Sequence, residues 1–272
     1  MAYNLLKGKR GIITGALDQN SIAWKVAEKA HEEGATFVLT NAPIAMRMGE
    51  INGLAEKTNS KIVPADATSV EELTNLFTES QQILGSKIDF VLHSIGMSVN
   101  IRKKIAYPEL NYDYYAKGVD VSAMSLHKML SVAYNMDALN EEASVVALTY
   151  AAAQRTYPFY TDMADIKALL ESIARSFGYH YGLKNRVRVN TVSQSPTKTT
   201  AGTGIKGFGD FFDYANAIAP LGNASAEDCA NYCITLFSDL TKMVTMQNLF
   251  HDGGYSTTGV SDLIMKKAGI AE

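Results

Sequence analysis

Seven short apolar runs, separated by longer stretches with helical periodicity, constrain the fold of this chain more than any other feature. The runs are Gly11–Thr14, Thr36–Thr40, Lys61–Pro64, Ile88–His93, Ser144–Thr149, Arg186–Val192 and Gln247–Phe250. After the first of them, Ile22, Val26 and Ala30 recur at intervals of four, and Gly34 supplies a stop signal. Further helices are predicted around Met46–Lys57, from the capping box Ser69–Glu72 to Leu84, within Tyr112–Leu139 and from about Tyr160 to Tyr181. A last one is capped by Ser225, with Asp228 three residues on. Such alternation predicts an α/β fold, a Rossmann-type doubly wound parallel sheet with helices on both faces. No repeat or linker divides residues 1–272, so one domain is expected. The stretch from Gln194 to Asp213 is the longest without clear periodicity, and a loop of that length is expected to act as a lid.

Composition narrows the partners. A net charge of −3 argues against nucleic acid as the main partner. No apolar stretch approaches the roughly 18–20 residues that a membrane span requires. The first ten residues lack the apolar core of a signal peptide, so the expected compartment is the cytoplasm. Cys229 and Cys233 lie one helical turn apart with no further Cys or His beside them, so reduced thiols are expected and a metal site is not.

In a doubly wound sheet, ligands sit beyond the carboxyl ends of the strands. The first strand leads into Thr14-Gly15, and a helix opens near Ser21-Ile22 with free N–H groups suited to a pyrophosphate. The second and third glycines of a G-x-G-x-x-G loop are missing, so this turn alone equally fits a plain capped helix. Two further strand ends add weight. Asp66-Ala67 stands where an adenine amine would be bonded, and Ser94-Ile95-Gly96 offers a glycine where backbone must approach a ribose.

The series Thr14-Gly15, Ser21-Ile22-Ala23, Asp66, His93-Ser94-Ile95-Gly96 and Tyr160-x6-Lys167 resembles the bacterial NAD(P)H-dependent enoyl-[acyl-carrier-protein] reductases. These form a divergent branch of the short-chain dehydrogenase/reductase superfamily. The resemblance runs from Lys7 to about Tyr255 and includes Ser193–Pro196, Thr199 and His251–Gly254. It implies reduction of an enoyl thioester on acyl-carrier protein, a homotetramer, Tyr160 on the thioester carbonyl and Lys167 on the nicotinamide ribose. Pro196, Thr197 and Thr199 are implied to hold the nicotinamide carboxamide and the pyrophosphate.

Residue spacing separates this reaction from carbonyl reduction. Ordinary short-chain dehydrogenases carry Tyr-x3-Lys, which would place a tyrosine at 163, where this chain has Met163. Their serine, thirteen residues before that tyrosine, falls here on Tyr150. The Ser/Tyr pair is thus replaced by Tyr150 and Tyr160. With positions 160, 163 and 167 on one helix face, Tyr160, Met163 and Lys167 are expected to converge, and Lys167 to favour ionisation of the nearby phenol. A phenol bonded to the thioester oxygen would stabilise the enolate that forms when hydride reaches the β-carbon. Ile205, Phe208 and Phe211 in the glycine-rich segment are expected to cover the acyl chain.

After the second strand, Asn41-Ala42-Pro43 offers neither an acid for a ribose 2′-hydroxyl nor clustered basic residues for a 2′-phosphate. NADH is therefore favoured, with NADPH left open by Arg47. His93 and His127 are expected to be structural. A 3-oxoacyl or other carbonyl reductase and a non-catalytic NAD(H) sensor are the competing functions.

Overall fold

The computed structural model describes residues 2–47, 50–203 and 207–270. Its strands are β1 (Arg10–Thr14), β2 (Thr36–Thr40), β3 (Lys61–Ile62), β4 (Ile88–His93), β5 (Leu139–Thr149), β6 (Arg188–Gln194) and β7 (Asn248–His251). They form one sheet, ordered β3-β2-β1-β4-β5-β6-β7, and every neighbouring pair is parallel. The chain moves outward from β1 to β3, then crosses back to β4 on the other side of β1. The switch point therefore lies between the carboxyl ends of β1 and β4.

Alternation along the strands explains the two layers. Ile12, Val38, Val91 and Val145 point into one apolar cluster, while Ile13, Leu39, Leu92 and Val146 point into the other. Because both faces are buried, the strands read as nearly continuous apolar runs. The helices in chain order are α1 (Ile22–Glu32), α2 (Pro43–Met46), α3 (Ile51–Thr58), α4 (Val70–Leu84), α5 (Val99–Arg102) and α6 (Tyr112–Val119). They continue with α7 (Ser125–Asn135), α8 (Thr161–Asn185), α9 (Thr200–Thr203), α10 (Phe208–Ile218), α11 (Ala226–Phe237) and α12 (Asp262–Lys267). Helices α1, α3 and α11 cover one face through Trp24, Leu54 and Phe237; α4, α7 and α8 cover the other through Phe77, Met129 and Leu170. Among the described residues no helix is long and apolar enough to cross a membrane.

The cap at Ser225 forms as expected, and Ser225 and Asp228 make a reciprocal capping box. The capping box expected at Ser69 forms only by half. Ser69 accepts from the Glu72 amide at 3.2 Å, but the Glu72 carboxylate accepts from the Asp66 amide at 2.7 Å and not from the Ser69 amide. Three further expectations are corrected. The helix expected over Met46–Lys57 is instead two pieces, α2 and α3. Strand β5 begins at Leu139, ahead of the expected Ser144, whereas the helix expected within Tyr112–Leu139 does form there, ending at Asn135 with a π-helical turn over Asp120–Met124. The stretch expected to be an irregular loop to Asp213 is largely helical, as α9 and α10. Its glycines hid a 3.6-residue period of Phe208, Phe211, Phe212 and Ala215, which starts as soon as Gly207 has turned at φ +73°.

Candidate active site

The strand ends at the switch point are pressed together. Gly15 sits at φ +86°, and a Cβ there would lie 2.0 Å from the Ser94 carbonyl oxygen, so only glycine fits. The Ser94 amide donates to Thr14 Oγ1 at 3.2 Å and ties the same two strands. Ser21 occupies the N-cap position of α1 without capping it. Its hydroxyl instead donates to the Asp18 carbonyl at 2.7 Å and accepts from the Leu17 amide at 3.3 Å, closing the turn. The first amides of α1 are thereby left for an anion.

Beside this crevice a cavity of about 60 Å³ is lined by Thr14, Thr40, Asn41, Asp66, Ala67 and Ile95. Asp66 Oδ1 accepts from the amide and hydroxyl of Thr68 at 2.9 and 2.8 Å. Asn41 is tied locally, donating to the Ala16 carbonyl and accepting from the Ala42 amide.

On the other side of the crevice a cavity of about 150 Å³ is lined by Ile22, Thr149, Tyr150, Phe159, Tyr160, Pro196, Thr197, Thr199, Phe208 and Phe211. The rings of Tyr150 and Tyr160 lie 5.1 Å apart, and the buried Tyr150 hydroxyl has no hydrogen-bond partner among the described residues. Such an orphan donor costs free energy unless a bound molecule meets it. Burial pushes both phenols well above their usual range, so they stay protonated. That corrects the expectation that Lys167 would favour phenol ionisation: burial alone sets the direction at Tyr160, Lys167 acts on neither phenol, and the group available is a neutral O–H donor.

Lys167 is buried and donates to the Leu148 carbonyl at 2.8 Å. A Cβ on Gly96 would stand 3.7 Å from its Nζ, which places the ammonium beside the turn after β4. Burial brings its pKa down to about 8, against the opposing pull of Glu171. Glu171 is itself fixed, accepting from Thr149 Oγ1 and Gln154 Nε2 at 2.9 Å each. His93 is buried, with Nε2 2.8 Å from Ser125 Oγ; burial and the Lys167 charge hold its pKa down to about 3, so it is neutral. His127 packs edge-on to Phe177.

Met163 does not line the cavity and is buried in the core cluster with Ile166 and Leu170. The expected face of 160, 163 and 167 fails because α8 begins at Thr161, whose φ of +41° swings Tyr160 off the helical track. Ile205 and Lys206 lie outside the described residues. Phe208 does line the cavity, and Phe211 packs on Tyr157 and Phe159 at ring distances of 5.6 and 4.9 Å.

Several residues here were not anticipated. Tyr157, Phe159 and Tyr255 complete an aromatic wall around Phe211 and Tyr150. The run Tyr157-Pro158-Phe159-Tyr160 just ahead of a helix was the available signal. Gln194 holds the Pro196–Thr199 turn: its Oε1 lies 2.7 Å from His251 Nδ1 and its Nε2 donates to Thr197 Oγ1 at 3.1 Å. Across the front, Thr200 Oγ1 donates to Asp18 Oδ2 at 2.5 Å and ties α9 to the turn after β1.

Two cavities beyond the carboxyl ends of the strands, with Gly15 and Gly96 in the strand-end turns, a buried ammonium at Lys167 and a buried phenol at Tyr150, fit a dinucleotide and a carbonyl-bearing substrate. A family model described as "Enoyl-(Acyl carrier protein) reductase" matches residues 15–256. The crystal structure of the FabI–NADH complex from Alistipes finegoldii superposes with a TM-score of 0.96 at 61% identity, covering 97% of this chain and 93% of that one. A second structure, FabI from the same organism, gives 0.92 at 58% identity, with 98% of each chain covered. The enoyl-[acyl-carrier-protein] reductase [NADH] FabI of Rickettsia bellii is 32% identical over 266 residues, 97% of this chain and 100% of its own length. With one family model matched over most of its length and relatives covered end to end, this chain belongs to the enoyl-(acyl carrier protein) reductase family.

Proposed function

We propose that this protein reduces the 2,3 double bond of trans-2-enoyl thioesters on acyl-carrier protein with NADH, the last step of the fatty-acid elongation cycle. The observation that carries the assignment is the pair of protonated phenols, Tyr150 and Tyr160, in an aromatic cavity, while Met163, where a Tyr-x3-Lys motif ending at Lys167 would need its tyrosine, is buried in the core.

NADH, when bound, supplies the hydride. Gly15, the first turn of α1, Ser94–Gly96 and Thr197–Thr199 would cradle its phosphates and riboses, with Asp66 and Ala67 at the adenine and Lys167 at the nicotinamide ribose. Tyr160 donates to the thioester oxygen. That bond strengthens as negative charge grows there, so it lowers the barrier more than it tightens substrate binding. Phe159, Phe208 and Phe211 exclude water around the acyl chain, and the α9–α10 segment serves as the lid. The A. finegoldii protein crystallised with NADH supports the choice of cofactor, as does the lack of clustered basic residues in Asn41-Ala42-Pro43 after β2.

Leu169, Tyr179 and Leu183 leave an exposed apolar strip on α8, which supports assembly with copies of itself into a homotetramer. The cytoplasm is the compartment we assign.

The test is NADH or NADPH oxidation with crotonyl-CoA and acetoacetyl-CoA in parallel. The expected result is turnover of the enoyl thioester alone, with kcat/KM at least about tenfold higher for NADH, as loss of one phosphate-binding cation pair would give. Turnover of acetoacetyl-CoA alone would falsify the enoyl assignment. Higher kcat/KM with NADPH would mean that Arg47 or a more distant group reaches the 2′-phosphate.

A further inference from the structure

The residue after Tyr160 adopts a backbone conformation that a β-branched side chain rarely takes. Thr161 is buried with φ +41°, in the left-handed region, at the junction where the chain enters α8. Tyr160, at the N-cap position of that helix, makes no side-chain cap. Something else must hold the junction. Asp162 does so from a fully buried position. Its Oδ1 accepts from Ser98 Oγ at 2.7 Å and from the hydroxyl of Thr161 itself at 3.1 Å. Its Oδ2 accepts from Asn100 Nδ2 at 2.8 Å. Asn100 is in turn fixed by the backbone of Asn111, whose amide donates to Asn100 Oδ1 and whose carbonyl accepts from Asn100 Nδ2, both at 3.2 Å. A buried carboxylate needs such donors, and its place in the first turn of α8 adds the favourable end of the helix dipole.

We propose that Asp162 is a positioning residue for Tyr160: through Thr161 and the Ser98–Asn100 turn it locks the left-handed junction that aims the Tyr160 phenol into the cavity. The role rests on the enoyl-reductase assignment above. Asp162 touches none of the residues that line the cavity through a side-chain hydrogen bond, so it acts on turnover only through the geometry of its neighbour. Asparagine at 162 keeps the volume but presents an N–H₂ where Ser98 or Asn100 now donates, which unlocks the junction without opening a hole.

The test is a double-mutant cycle with crotonyl-CoA and NADH, using Asp162→Asn, Tyr160→Phe and both together. Asp162→Asn is expected to lower kcat about tenfold, in line with the cost of a small misplacement of a reacting group. KM and the NADH dissociation constant are expected to stay within about twofold. In the Tyr160→Phe background Asp162→Asn should cost nothing further, because the group it aims is gone. Thr161→Val, which removes the hydroxyl at nearly constant volume, should show the same Tyr160 dependence and covers the case in which Asp162→Asn does not fold. Unchanged kcat in Asp162→Asn, or losses that multiply in the double variant, would overturn the positioning role. A parent with no enoyl-thioester turnover overturns the functional assignment and the role of Asp162 with it, whereas a fully active parent with an indifferent variant overturns the role alone.

Discussion

Tyr160→Phe is expected to lower kcat for enoyl-thioester reduction by about a hundredfold, about 3 kcal/mol of barrier, while KM moves only a few-fold. The size follows from the environment of the phenol. Burial keeps Tyr160 protonated, and it lines a cavity walled by Phe159, Phe208 and Phe211. In such surroundings a donor aimed at developing charge acts with little competition from solvent. The split between kcat and KM follows because a ground-state thioester carbonyl is a weak acceptor and an enolate oxygen a strong one. Tyr150→Phe should be milder: the Tyr150 hydroxyl has no partner among the described residues, and its removal relieves a buried orphan even as it takes a donor from the substrate pocket. Met163→Tyr should not create a ketone reductase, since position 163 is buried in the core and its hydroxyl would have no path to the cavity. Steady-state kinetics with crotonyl-CoA and acetoacetyl-CoA on the three variants checks all of this. Full activity in Tyr160→Phe would keep the reaction and remove Tyr160 from it.

The sheet was readable in the sequence because both of its faces are covered. Runs such as Val145–Leu148 are apolar without interruption, and the crossover helices between the strands carry side-chain N-caps at Ser69 and Ser225. The cofactor end was readable for a related reason. Gly15 and Gly96 stand at strand ends where backbone packs against backbone or a buried ammonium, and no other residue type tolerates the φ of +86° and the 2.0 Å approach at Gly15. What escaped notice was set by tertiary contacts. Helical spacing placed Tyr160, Met163 and Lys167 on one face, but the left-handed Thr161 breaks the count between 160 and 163. Four glycines between 202 and 209 masked the amphipathic start of α10. The Gln194–His251 contact joins residues 57 positions apart and carries no local signature. The same holds for Asp162, which reads as an ordinary first-turn acid until Ser98 and Asn100 are seen beside it.

The affinity for NADH is expected to fall as pH rises through about 8, and this loss should vanish in Lys167→Met. Burial holds the Lys167 ammonium down to about 8 from an ordinary 10.5, with Glu171 pulling the other way and the neutral His93 adding no charge. At pH 7 the group is therefore mostly charged and donates to the ribose hydroxyls; at pH 9.5 it is mostly neutral. A charge-assisted hydrogen bond contributes about 1.5–3 kcal/mol, and titration of a group near 8 limits the change over this range, so the dissociation constant should rise roughly ten- to thirtyfold. Lys167→Met should bind NADH weakly and equally at both pH values. Stability is expected to move in the opposite direction. The folded-state pKa lies below the unfolded one, so between about pH 8 and 10.5 the unfolded chain binds more protons. The parent should thus gain stability relative to Lys167→Met over that window, by about 3 kcal/mol in all, and below pH 8 it carries the full cost of a buried charge. Fluorescence titration with NADH and thermal melts of both proteins between pH 7 and 10.5 separate the two effects. A flat NADH affinity in the parent, with the stability trend intact, would leave Lys167 a buried cation without a cofactor contact.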